Sequence, residues 1–71
     1  MTLSMVEERQ EYIVEAIETN DEELNSFLFS LGCYPGEPIT VIKKRKSGSI
    51  VVVKDGRYNF DKYLCNAIHV K

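Results

Sequence analysis

Hydrophobic and polar positions follow two different rhythms along this chain, and the switches between them mark its elements. Glu11-Tyr12-Ile13-Val14-Glu15-Ala16-Ile17-Glu18 alternates imperfectly, with Tyr12, Val14 and Ala16 in one set and Ile13 and Ile17 among the acids of the other, which predicts a strand partly covered on both faces. Thr19-Asn20-Asp21-Glu22-Glu23 then offers two overlapping capping boxes, Thr19 with Glu22 and Asn20 with Glu23, and puts acids where a helix dipole favours them. Leu24, Phe27, Leu28 and Leu31 recur at i, i+3, i+4 and i+7, a single apolar stripe, and Gly32 stands where a left-handed cap ends a helix, so the spacing predicts a helix over residues 21–31.

Strand rhythm returns after a turn. Pro35-Gly36 suits the centre of a type II turn, since proline presets the first φ and glycine accepts the positive second one. Residues 38–45 then alternate, with Ile39 and Val41 on one face and Thr40 and Ile42 on the other, followed by a polar hairpin loop Lys46-Ser47-Gly48-Ser49. Residues 50–54 form the next predicted strand. Asp55-Gly56 signals a type I′ turn into Arg57-Tyr58-Asn59-Phe60, completing a three-stranded meander. Asp61 caps one helical turn through Asn66, and Ala67-Ile68-His69-Val70 closes the chain as a strand with Ile68 and Val70 inward.

Seventy-one residues allow one small domain, 1–71, and a chain this short buries only about 60% of its unfolded surface. Closure into a barrel, or homo-oligomerisation, would offset that shortage, so the predicted fold is mostly β: a small closed barrel of about five strands with one inserted α-helix. Hydrophobic residues at 44% and charged residues at 28% exclude a disordered or collagen-like chain. The N-terminus lacks the basic and apolar regions of a signal peptide, and no apolar run is long enough for membrane insertion. Cys33 and Cys65 are isolated in sequence, so both are expected as reduced, buried packing residues of a cytoplasmic protein.

The net charge of −2 conceals an asymmetry, because residues 1–37 carry nine acids against Arg9 alone and residues 38–71 carry eight bases against Asp55 and Asp61. Interleaving of the two halves in the fold would solvate each charge, whereas segregation would leave a basic rim able to steer an acidic partner.

The segment Leu31-Gly32-Cys33-Tyr34-Pro35-Gly36-Glu37-Pro38-Ile39-Thr40-Val41, with Met1-Thr2-Leu3-Ser4 at one end and Asn66-Ala67-Ile68-His69-Val70 at the other, resembles the FeoA family of ferrous iron transport accessory proteins. The resemblance covers nearly the whole chain. It implies an SH3-like barrel, a cytoplasmic location, and action on the membrane transporter FeoB, whose GTP-binding domain drives or gates iron uptake. The same barrel terminates metal-dependent transcriptional repressors, so a metal-sensing or interaction module is the alternative the resemblance leaves open.

Candidate chemistry is sparse. Ferrous sites commonly combine imidazoles with a carboxylate, and His69 is the only histidine, so no metal site within the chain, no cofactor and no catalytic group is expected. Each glycine has a turn to explain it, which leaves no phosphate loop of the glycine-rich kind; Gly32, Gly36, Asp55 and Gly56 are expected as structural turn residues. Lys43-Lys44-Arg45-Lys46, with Tyr58 and Phe60 in a neighbouring strand, suggests a nucleic-acid face, but alternation divides the run between two faces and a pI near 5.3 gives no long-range attraction for phosphate. Nucleic-acid binding is therefore not expected. Phe29 lies outside the apolar stripe and Tyr34 lies in the turn, so Phe29, Tyr34, Pro35 and Glu37 form the expected partner-binding patch, with a covered barrel mouth as the bland alternative.

Overall fold

A computed structural model describes all residues, 1–71. Its strands are β1 (Glu11–Ile17), β2 (Pro38–Arg45), β3 (Gly48–Val53), β4 (Gly56–Asp61) and β5 (Ile68–Val70), and its helices are α1 (Glu22–Leu31) and α2 (Lys62–Ala67). All five strands lie in one antiparallel sheet in the order β4-β3-β2-β1-β5. The mostly β, SH3-like reading therefore holds, with one correction. The sheet is not closed, because β4 pairs only with β3, and beyond β1 the last strand β5 meets only an isolated bridge between Thr2 and His69. The space between β4 and β5 is occupied by α2 and an N-terminal 3₁₀ turn at Leu3–Met5.

β1 belongs to both halves of the sheet. Its first residues pair with β2, as Glu11 with Thr40 and Ile13 with Pro38, while its later residues pair with β5, as Val14 with Val70 and Ile17 with Ile68. A register shift between Val14 and Ala16 bends the strand where it changes partner, as a bulge does. That dual pairing explains why its hydrophobic alternation is imperfect.

The core follows the alternation of the other strands: Ile39 and Val41 from β2, Val51 and Val53 from β3, Phe60 from β4, and Ile68 and Val70 from β5 are all buried. Leu3 and Val6, which the sequence pattern does not assign to any element, are buried beside them. From α1 only Leu28 is fully buried, with Leu24 and Leu31 partly covered; burying one such side chain contributes about 2 kcal/mol. Phe27, predicted for the same stripe, is 50% exposed, because α1 packs through a line narrower than its apolar face.

Caps decide the helix ends. Asp21, not Thr19 or Asn20, caps α1, its Oδ1 accepting from the N–H groups of Glu23 (3.0 Å) and Leu24 (3.2 Å). Asn20 has a left-handed φ of 59°, incompatible with an extended capping residue, and Thr19 is buried, donating through Oγ1 to Asn25 Oδ1 at 2.5 Å. Asp61 caps α2 as expected, Oδ1 accepting from Leu64 N–H at 2.9 Å.

The first hairpin loop is shorter than predicted and the second is shifted. Arg45 pairs with Gly48 across a two-residue turn Lys46-Ser47, so β3 begins two residues earlier than its apolar run. Val53 pairs with Gly56 across Lys54-Asp55, and of these two it is Lys54 that carries a positive φ, 54°. The type I′ turn expected at Asp55-Gly56 is thus not formed: the turn lies one residue earlier, and a positive φ at Lys54 alone does not meet the type I′ requirement. Gly56 opens β4, and its lack of a side chain accommodates the Tyr58 ring lying across it.

Candidate functional site

At the C-terminus of α1, Gly32 adopts φ +93°, and the N–H groups of Gly32 and Cys33 donate to Phe29 O (3.0 Å) and Leu28 O (2.9 Å). This is the double closure of a Schellman cap. Two residues on, Tyr34 O accepts from Glu37 N–H at 3.1 Å across Pro35-Gly36, with Gly36 at φ +96°, the positive angle a type II turn requires. The turn is stitched to β1 on both sides, since Gly36 N–H donates to Val14 O (2.8 Å) and Val14 N–H to Glu37 O (2.9 Å).

Cap and turn together bring Phe29 and Tyr34 into contact, with ring centroids 4.8 Å apart and planes tilted by 33°, an arrangement favourable for aromatic pairs. Phe29 remains 64% exposed. Its ring therefore lies on Tyr34 and does not close the barrel mouth. Pro35 is exposed beside them, and Glu37 is partly buried at the turn's exit.

Lys54 joins these residues into one surface. From the β3–β4 turn its ammonium lies 5.6 Å from the Tyr34 ring centroid and 2.5 Å from Glu37 Oε1, and its aliphatic stem passes over Gly32 where a Cβ would otherwise project. The hydrogen bond that the ammonium donates to the Glu37 carboxylate holds its pKa above the ordinary lysine range. Lys54 is the residue of this candidate surface that sequence reasoning missed; the one-residue error in the hairpin register hid its position in the turn. A shallow depression of about 290 Å³ continues the surface between Glu11, Thr40, Val52 and the Lys54–Glu37 pair.

No group of three or more His, Cys, Asp or Glu side chains is placed to hold a metal ion. The nearest approach to a ligand pair is His69 Nε2 with Glu18 Oε1, 2.6 Å apart on the β1–β5 side, where His69 is partly buried. Cys33 and Cys65 are free and buried, and burial pushes the Cys33 thiol up to about 11 and also raises that of Cys65. Thiols held protonated are poor ligands and poor nucleophiles. The Lys54–Glu37 ion pair and the Glu18–His69 contact each join an acid of residues 1–37 to a side chain of residues 38–71, so the two segments meet at these two points.

The FeoA domain family pattern matches residues 1–71. The chain belongs to the FeoA domain family. Among solved structures, a FeoA described as an iron uptake regulatory protein is similar over 100% of this chain and 93% of its own, at 28% identity and a TM-score of 0.84. Stenotrophomonas maltophilia FeoA, a prokaryotic SH3 domain protein solved in complex with zinc, shares the fold at 21% identity and a TM-score of 0.87, covering 100% of this chain and 89% of that one. Iron(II) transport protein A from Clostridium thermocellum shares it at 20% identity and a TM-score of 0.88; all of this chain aligns with 44% of that one. No curated protein matches the chain. No helix of this FeoA domain is long and apolar enough to cross a membrane.

Proposed function

We propose that this FeoA-family chain is a non-enzymatic cytoplasmic accessory protein of ferrous iron uptake, which binds the cytoplasmic part of a FeoB-type transporter and modulates it. The observation that carries the reading is the match of the whole chain, 1–71, to the FeoA domain family. The contact surface is the patch of Phe29, Tyr34, Pro35 and Glu37, held in place by Lys54. An exposed aromatic on a rigid cap and turn supplies contact area at little ordering cost, the profile of an interface anchor. The chain contributes no catalytic group to transport; its effect on the transporter is that of a bound module.

Binding of the chain to a purified transporter cytoplasmic domain tests this. Phe29→Ala with Tyr34→Ala should weaken binding by about 2 kcal/mol or more, roughly thirtyfold. Lys44→Glu with Lys46→Glu, at the far end of β2, should alter mainly association rate and salt dependence. Normal binding by the aromatic variant, with binding abolished at every salt concentration by the charge reversal, would move the contact to the β2–β3 hairpin and refute the patch.

A further inference from the structure

At the end of β2 remote from Tyr34, Lys44, Arg45 and Lys62 line a small pocket of about 100 Å³ with Ser4, Ser49 and Cys65. No carboxylate lines it. None of the three cations takes part in either ion pair of the molecule. Two carboxylates belonging to neighbouring segments are engaged by main-chain donors: Glu8 Oε2 accepts from Lys44 N–H at 2.6 Å, and Asp61 Oδ1 accepts from Leu64 N–H. Strand alternation predicts that Lys44 and Arg45 face apart, yet both reach the pocket, because Arg45 is the last residue before the Lys46-Ser47 turn.

Ser49 lines the floor. It and Thr19 are the buried polar residues of the chain, and whereas Thr19 is held by Asp21 and Asn25, the Ser49 hydroxyl lies against the Cys65 thiol. The Ser4 hydroxyl is already donated to Asn66 Oδ1 at 2.7 Å, so the other side-chain donors among the lining residues are the Ser49 hydroxyl and the exposed side chains of Lys44, Arg45 and Lys62. Arg45 and Ser49 also line a wider depression of about 470 Å³, which includes Asn59 and Asp61. A small pocket lined by cations, sharing Arg45, Gly48 and Ser49 with a larger polar depression, matches a phosphate group with a polar organic remainder; guanidinium and ammonium donors around one oxyanion form charge-assisted hydrogen bonds, about twice as strong as neutral ones.

We propose that the Lys44–Arg45–Lys62 pocket binds the phosphate of a small phosphomonoester, independently of the FeoB-binding patch. The full chain would be titrated with inorganic phosphate, with glycerol 3-phosphate, and with phosphatidylcholine vesicles containing or lacking phosphatidic acid, ionic strength being matched with chloride. Saturable phosphate binding by calorimetry is expected, with amide shifts centred on residues 44–49 and 62. Arg45→Gln with Lys62→Gln should weaken it at least tenfold, while Lys46→Gln, on the same hairpin but outside the lining, should change it less than twofold. Should the double variant lose its fold, Ser49→Ala supplies the same comparison. Tighter binding of glycerol 3-phosphate without vesicle capture assigns a soluble ester, and capture by phosphatidic acid lost in the same variants assigns a lipid headgroup; either upholds the pocket. Unsaturable phosphate binding, an equal loss in Lys46→Gln, or binding only to a long polyanion such as RNA would overturn it.

Discussion

Replacing Gly32 or Gly36 by alanine separates two costs that usually arrive together. Both glycines have a positive φ, +93° and +96°, and an L-residue there costs about 1–2 kcal/mol. Their surroundings differ. A Cβ on Gly36 would meet nothing within 4 Å, whereas a Cβ on Gly32 would occupy the position of the Lys54 Cγ. Gly36→Ala should therefore lower stability by the backbone cost alone. Gly32→Ala should lower it further, because it expels the lysine stem and breaks both the Lys54–Glu37 ion pair and the contact with Tyr34. The surplus is testable as a coupling: in a Lys54→Ala background the obstacle is gone, so the cost of Gly32→Ala should fall to that of Gly36→Ala, which itself should not change. Urea unfolding followed by far-UV circular dichroism gives all six midpoints, with the slopes confirming two-state behaviour. If Gly32→Ala is no worse than Gly36→Ala, or if its cost is unaltered by removing Lys54, the proposed packing of Lys54 across the cap is wrong.

Burial raises the Cys33 thiol from 9.0 to about 11, so on alkalinisation the unfolded chain releases that proton first. Stability from this group is intact below about pH 9 and drains away as the pH rises through about 11; a steeper alkaline fall in the urea midpoint for the native chain than for Cys33→Ala is expected, and parallel curves would contradict it. Asp61→Ala removes the α2 cap and should cost about 1 kcal/mol in the same assay, with Asp61→Asn recovering most of it. Anaerobic calorimetry with ferrous ion should show no site of micromolar or better affinity, because His69 and Glu18 stand as a pair without a third ligand; such a site, lost on His69→Ala, would reverse that expectation.

Local signals carried most of the fold. Gly32, the Pro35-Gly36 turn, the strict alternation of Ile39 and Val41, and the Asp61 cap each depend on neighbours within a few residues, and each stands where its pattern put it. What failed depended on distant partners. β4 and β5 leave the sheet open because the space between them is filled by Leu3 and α2, a long-range packing choice with no periodic signature. Asp55-Gly56 carried a genuine turn signal but not its register, which pairing of Val53 with Gly56 decides. Phe27 matched the helical stripe yet is half exposed, since of this helix only Leu28 is fully taken into the core. At the patch, the aromatic contact between Phe29 and Tyr34 was foreseeable from a cap followed by a turn; the arrival of Lys54 from another hairpin was not.

The division of β1 between two neighbours ranks the pairings by loop-closure demand. The β2–β3 and β3–β4 hairpins close two-residue loops, a small entropic demand, whereas pairing Val14 with Val70 brings together residues near opposite ends of the chain. Loop-closure entropy thus favours the meander over the pairing of β1, the strand that ties the two ends of the chain to it. Because Val14 is also the residue whose backbone brackets the Pro35-Gly36 turn, the aromatic patch has its fixed shape only with that strand in place. The surface proposed above for partner binding therefore depends on contacts made far away in the sequence, and loosening β1 at Val14 would loosen the Phe29–Tyr34 pair with it.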